Sequence, residues 1–160
     1  MDLAQFDQYV LVPALKKIGL YSPSAHVLML GTGVIETNYQ YLKQLGSGPA
    51  LGVFEVEPDT YNDIYRFINK YENRKLKERC LAACIYDLWP DSEALIYNLR
   101  WACIIARLKY FMVSVALPSS FDAVGMANYY KKYYNTYIGK SDIDEDVKVF
   151  QEIIKTRDKS

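Results

Sequence analysis

DSEALIYNLRWACIIARLKYF, residues 91–111, decides the fold. Ala94, Leu95, Leu99, Trp101, Ala102, Cys103, Ile104, Ile105, Ala106, Leu108 and Phe111 cover a helical wheel almost all the way round. A helix on the surface of a domain repeats its apolar positions every three or four residues, whereas one that is apolar on all sides has to be enclosed by other elements. The stretch therefore predicts one buried central helix over 91–111, with Trp101, Ile104, Ile105 and Leu108 at the centre of a single core. Arg107 and Lys109, beyond its midpoint, are expected at the surface.

The flanking segments supply the enclosure. Residues 2–17 carry Leu3, Phe6, Val10, Pro13 and Leu15 at amphipathic spacing, with a break expected near Pro13 and an end at Gly19. Ser22 and Pro23 place an N-cap before a proline at the first helical position, and the helix they start runs through Val27, Leu28, Leu30, Val34 and Ile35, with Glu36 in its last turn. Gly46, Gly48, Pro49 and Gly52 predict a loop. The weak alternation over 52–57 predicts a short strand or an extended crossing. Further helices are expected from Pro58 toward Tyr71, over 73–88 with Pro90 closing it, over 122–137 after the turn at Leu117-Pro118-Ser119-Ser120, and over 142–155. The fold class is all-α with at most minimal β structure, in a single domain covering 1–160.

Composition narrows the partners. Lys plus Arg and Asp plus Glu number 19 each, so no net field draws the chain to nucleic acid, an anionic membrane or a basic partner. Tyr-Tyr-Lys-Lys-Tyr-Tyr, residues 129–134, mixes rings and charges as some single-strand binders do, but no RNA-binding motif accompanies it. Tyr contributes 15 residues, each with an apolar ring and a hydrogen-bonding tip that suit sugar binding as well as half-buried helix positions. Cys80, Cys84 and Cys103 lack zinc-type spacing and read as reduced core residues. The single His26 reads as structural or solvent-facing, and no metal or organic cofactor is expected. The opening MDLAQFDQYVLVPALKK lacks the basic, apolar and small-residue order of a signal peptide, and no apolar run is long enough to span a membrane. Synthesis in a cytoplasm is the expectation.

Chemistry gathers in four islands. Ile35-Glu36-Thr37 ends a helix; Gly48-Pro-Ala-Leu-Gly-Val-Phe-Glu-Val-Glu-Pro58 crosses a glycine-rich loop; Asn98 opens the buried helix; Tyr133-Tyr134-Asn135-Thr136 comes late in the chain. A carboxyl at a helix C-terminus beside apolar neighbours is disfavoured as an anion, so Glu36 should keep its proton toward neutral pH, as a general acid must. Gly48 and Gly52 would let backbone come close to a bound chain.

In order and spacing these islands resemble the lytic transglycosylases and goose-type lysozymes of the lysozyme-like superfamily, and most nearly small bacteriophage proteins of that kind. The resemblance spans residues 27–140. It implies cleavage of the β-1,4 bond between N-acetylmuramic acid and N-acetylglucosamine, with Glu36 as catalytic acid and a peptidoglycan strand as partner. It also implies other virion proteins as partners and action from a virion or tail at the host cell wall. Thr37, Gly52, Phe54, Glu55, Asn98, Tyr134 and Asn135 fall at substrate-binding positions. Thr37 stands where the family has Ser, with a hydroxyl able to donate to Glu36 or to the sugar. Glu55 stands where the family has Gln, and an ionised Glu only accepts hydrogen bonds. Two consequences stay open: a second carboxylate serving as base for a hydrolytic water, or a silent site in a structural tail component. Glu57 is assigned to the entry of the Pro58 helix.

Overall fold

The computed structural model describes residues 1–135 and 142–157, and these form a single helical domain. Its middle is not one helix over 91–111 but two. A short α6 (Ala94–Tyr97) stops at Asn98, whose extended backbone (φ −113°, ψ 92°) breaks the helical path, and α7 (Leu99–Phe111) starts anew. The Asn98 side chain accepts from the Trp101 N–H at 3.0 Å, an N-cap that satisfies one of the donors a helix start leaves open. Trp101, Ile104, Ile105 and Leu108 are all 0% exposed, as the apolar wheel predicts. Around α7 pack α2 (Val12–Lys17), α3 (Pro23–Thr37), α4 (Pro58–Ile68), α5 (Arg74–Cys84) and α6.

Local signals account for most boundaries. Leu3–Phe6 (α1) runs into a π-helical turn at Asp7–Leu11 before α2, with the Val12 N–H bonded to the Asp7 carbonyl. Pro13 cannot donate to the preceding turn and its ring crowds it; the widened turn absorbs that conflict without ending the helix. Ser22 caps α3 by accepting from the Ala25 N–H at 3.0 Å, with Pro23 at the first position. His26 Nε2 meets Asp7 Oδ1 at 2.7 Å and ties α3 to the N-terminal turns. α5 is shorter than expected: Ile85, not Pro90, stops it, in a left-handed conformation (φ 58°) that a β-branched residue rarely adopts.

The late helices close the domain. Asp122 caps α8 (Ala123–Tyr133), which packs on α9 (Ile143–Arg157), and α9 in turn lies on α3. That last approach depends on Gly31, where an added Cβ would sit 2.1 Å from the Phe150 ring. Thr136 and Tyr137, the ends of the fourth island and of the expected 122–137 helix, lie outside the described residues. No strand forms among the described residues; the loop before α4 carries two isolated antiparallel bridges, Lys43 with Leu51 and Leu51 with Val56. Cys80, Cys84 and Cys103 are free thiols. No helix among the described residues is long and apolar enough to cross a membrane.

Candidate functional site

Glu36 is carried to the end of α3 by an unbroken helical run, and the chain then reverses sharply. Asn38 (φ 50°) and Tyr39 (φ 53°) both take left-handed backbone. Tyr39 folds back into the core and donates its hydroxyl to the carbonyls of Met29 and Leu30, in a notch that Gly33 keeps open. The reversal leaves Glu36 facing a cleft of about 500 Å³. A second hollow adjoins it, and the two share Ile35, Glu36, Gln44 and Glu55. Glu36 thus lines both hollows.

Three elements converge on this carboxyl. From α8, the Tyr130 hydroxyl donates to Glu36 Oε1 at 2.8 Å. From the turn between the bridges comes Glu55, itself at positive φ (44°), with its N–H on the Gly52 carbonyl. A non-glycine residue in that region is held there by its surroundings. Here Val53, Phe54 and Val56 are buried, so the turn is pinned while the Glu55 side chain enters the cleft. From α7 comes Lys109, whose Nζ donates to the Tyr134 carbonyl at 2.8 Å and lies 3.7 Å from the centre of the Tyr134 ring.

Burial pushes the Glu36 carboxyl up from 4.5 to about 7. Tyr130's hydrogen bond and Lys109's charge oppose the rise; Glu55 adds to it through its charge and through a hydrogen bond. Both effects of Glu55 favour the protonated form of Glu36. Lys109 is drawn down from 10.5 to about 8 by burial, against the pull of Glu36 and Glu57. The arrangement can therefore present a neutral carboxylic acid near pH 7 and receive a negative charge on it beside a cation.

The other expected positions divide. Tyr134 and Asn135 line the cleft, with the Tyr134 hydroxyl donating to the Phe54 carbonyl at 2.8 Å. Gly48 also lines it. Glu57 lines it too while serving as N-cap residue of α4, without a side-chain capping bond. Thr37 is 4% exposed and donates to the Val53 carbonyl at 2.8 Å, so its hydroxyl ties the turn down instead of meeting Glu36. Phe54 is wholly buried and contributes packing and a carbonyl. Gly52 (φ 75°) faces the Leu95 carbonyl, which an added Cβ would approach to 2.6 Å; its role is to seat the turn on α6, not to admit a glycan.

Asn98 is elsewhere. Its amide caps α7 and donates to the Tyr86 hydroxyl at 2.9 Å, in a separate depression shared with Tyr9, Val10, Cys84 and Ile85. The expected surface charges are also placed differently. Arg107 is buried with its Nε donating to the Leu20 carbonyl at 3.2 Å, and Lys109 belongs to the cleft. Sequence reasoning missed Lys109 and Tyr130 as site residues. A signal existed for each: Tyr130 lies one helical turn before Tyr134 on the same face, and a lysine on a helix apolar all round requires a partner or a cleft.

Comparison with family models, with curated proteins and with solved structures returns no match.

Proposed function

We propose that this chain cleaves the β-1,4 bond between N-acetylmuramic acid and N-acetylglucosamine in peptidoglycan, with Glu36 as general acid. The observation that carries the reading is a carboxyl that burial raises to about 7, set at the junction of two hollows. Two adjoining hollows that share one acid suit a polymer, and Gln44, Tyr130 and Asn135 in their lining offer donors and acceptors to sugar hydroxyls. The four motif islands and their likeness to bacteriophage muramidases support the choice of glycan. They also support a virion or tail as the vehicle to the cell wall.

Glu36 gives its proton to the bridging oxygen, the bond from that oxygen to the muramic C1 breaks, and positive charge develops on the sugar ring. Glu36 is left as a carboxylate. It then takes the proton of the muramic 6-hydroxyl as that oxygen attacks C1, which closes an anhydro ring, regenerates the acid and consumes no water.

Glu55 lines the same cleft as Glu36 and raises its carboxyl, and the water-free route needs no second carboxylate as base. Glu55 then acts by keeping the proton on Glu36. Zymography on purified peptidoglycan tests the reading: wild type should clear the gel and Glu36→Gln should not. Absence of clearing by wild type would point to a silent tail component instead.

A further inference from the structure

We propose that Lys109 is a positioning residue of this site: its ammonium is the fixed counter-charge for the carboxylate that Glu36 becomes on giving up its proton. The inference rests on the reading of Glu36 as acid and adds a residue that no motif supplied. Its basis is geometric. Lys109 leaves the end of the most enclosed helix of the domain and reaches the cleft, where two restraints fix its Nζ. One is the bond of 2.8 Å to the Tyr134 carbonyl, and the other is the Tyr134 ring, 3.7 Å away at its centre. The ring is itself anchored, since its hydroxyl donates to the Phe54 carbonyl. A charge held this way does not swing to solvent, and it joins the wall at Tyr134 and Asn135 to the turn that carries Glu55.

The cleft is otherwise acidic. Glu36, Glu55 and Glu57 line it, and Lys109 is the one cation among the described lining residues. Glu36 is faced by Lys109 and Tyr110 from α7, by Tyr130 and Tyr134 from α8, and by Glu55 from the turn. Lys109 is faced by Glu36 and by Glu57 at the α4 entry. Before proton transfer Glu36 is neutral and gains little from the ammonium. After transfer it is an anion at a half-buried position, where an opposite charge acts more strongly than in bulk solvent. The attraction therefore grows along the reaction, which is the condition for a group to raise the rate instead of only the affinity.

The experiment compares Lys109→Met, Lys109→Gln and Lys109→Arg with wild type. Carbon NMR of carboxyl-labelled glutamate, with the Glu36 signal assigned by its loss in Glu36→Gln, reads the titration of the acid directly. Both neutral variants should move the Glu36 midpoint upward, and the arginine variant should leave it near wild type. The glutamine variant can still donate to the Tyr134 carbonyl, so it separates charge from tether and serves if the methionine variant folds poorly. In glycan cleavage the neutral variants should lose roughly tenfold or more in kcat with KM little changed, their alkaline limb should shift upward, and arginine should restore the rate. An unmoved Glu36 midpoint in both neutral variants overturns the proposal, as does an unchanged kcat in an active enzyme. A wild type without lytic activity removes the enzymatic reading, and Lys109's catalytic role with it, whatever the titration shows. An active wild type with unchanged Lys109 variants removes only Lys109.

Discussion

The two ends of α7 carry polar side chains of comparable reach, and they do opposite things. At the N-terminal end, Asn98 has both ends of its amide committed to the protein, accepting from the Trp101 N–H and donating to the Tyr86 hydroxyl. At the C-terminal end, Lys109 is also hydrogen-bonded to the protein, yet its charge faces a cleft that holds Glu36. Those bonds turn the amide toward the α7 start and Tyr86, in a depression apart from the cleft. An ammonium in contact with one carbonyl and one ring still has a field, and two further N–H donors. The difference teaches that a polar group near an active site matters through what the fold leaves unused on it.

Between these ends lies the apolar layer that holds them apart, and its removal gives the largest expected effect on stability. Ile105→Ala, at a fully buried position, should lower the unfolding free energy by about 2–5 kcal/mol, read by denaturant titration. A loss under about 0.5 kcal/mol, the range of substitutions at the surface, would show that α7 is not the centre of the core.

Glu36→Gln comes next and has a sign that runs against most active-site lesions of catalysis. A carboxyl raised from 4.5 to about 7 in the folded state keeps a proton that the unfolded chain has released between those pH values. Folding stability therefore falls as pH rises across that window, and is lowest with respect to this group above about 7. Replacing the acid with an amide removes the penalty. The variant should be more stable than wild type by about 1–3 kcal/mol at pH 7.5, with no difference below the ordinary carboxylate range. Equal stability at both pH values would mean that the carboxyl is not desolvated.

Asn98→Ala sharpens the comparison directly. Loss of the cap should cost about 1 kcal/mol, and cleavage per folded molecule should stay at the wild-type rate. A drop in rate out of proportion to stability would return Asn98 to the glycan site. Smallest of all is the expected change in Glu55→Gln. It removes a negative charge beside Glu36, so the alkaline limb of the pH–rate profile, which lies near 7 because the acid must be protonated, should move downward. The product should stay the same.

The helices were legible because their signals are local. Ser22 with Pro23, the apolar run of α3, and the apolar wheel read over 91–111 each state their structure within a few residues. The Ile85 stop was not legible, since a β-branched residue has no propensity for the left-handed region; its side chain is exposed, and the turn is closed by backbone bonds from the Ile85 and Tyr86 N–H groups to the Ala82 and Leu81 carbonyls. Glu36, Glu55, Tyr134 and Asn135 could be brought together from their motifs, although they lie far apart in the chain. Thr37, Gly52 and Phe54 sit in the same motifs but serve the fold of the loop, because a motif marks a segment and does not say which of its side chains turn inward. Lys109 was hidden for a different reason. Charge on a helix ordinarily marks the solvent face, and that expectation outweighed the cue that a lysine on a helix apolar all round requires a partner or a cleft.

The most direct test of the central claim is mass spectrometry of purified peptidoglycan digested in heavy-oxygen water by wild type and by Glu36→Gln. The account predicts fragments ending in anhydro-N-acetylmuramic acid, with no solvent oxygen at the reducing end, from wild type alone. Solvent oxygen at the new reducing ends would contradict the water-free route through Glu36. Equal digestion by Glu36→Gln would contradict Glu36 as the acid.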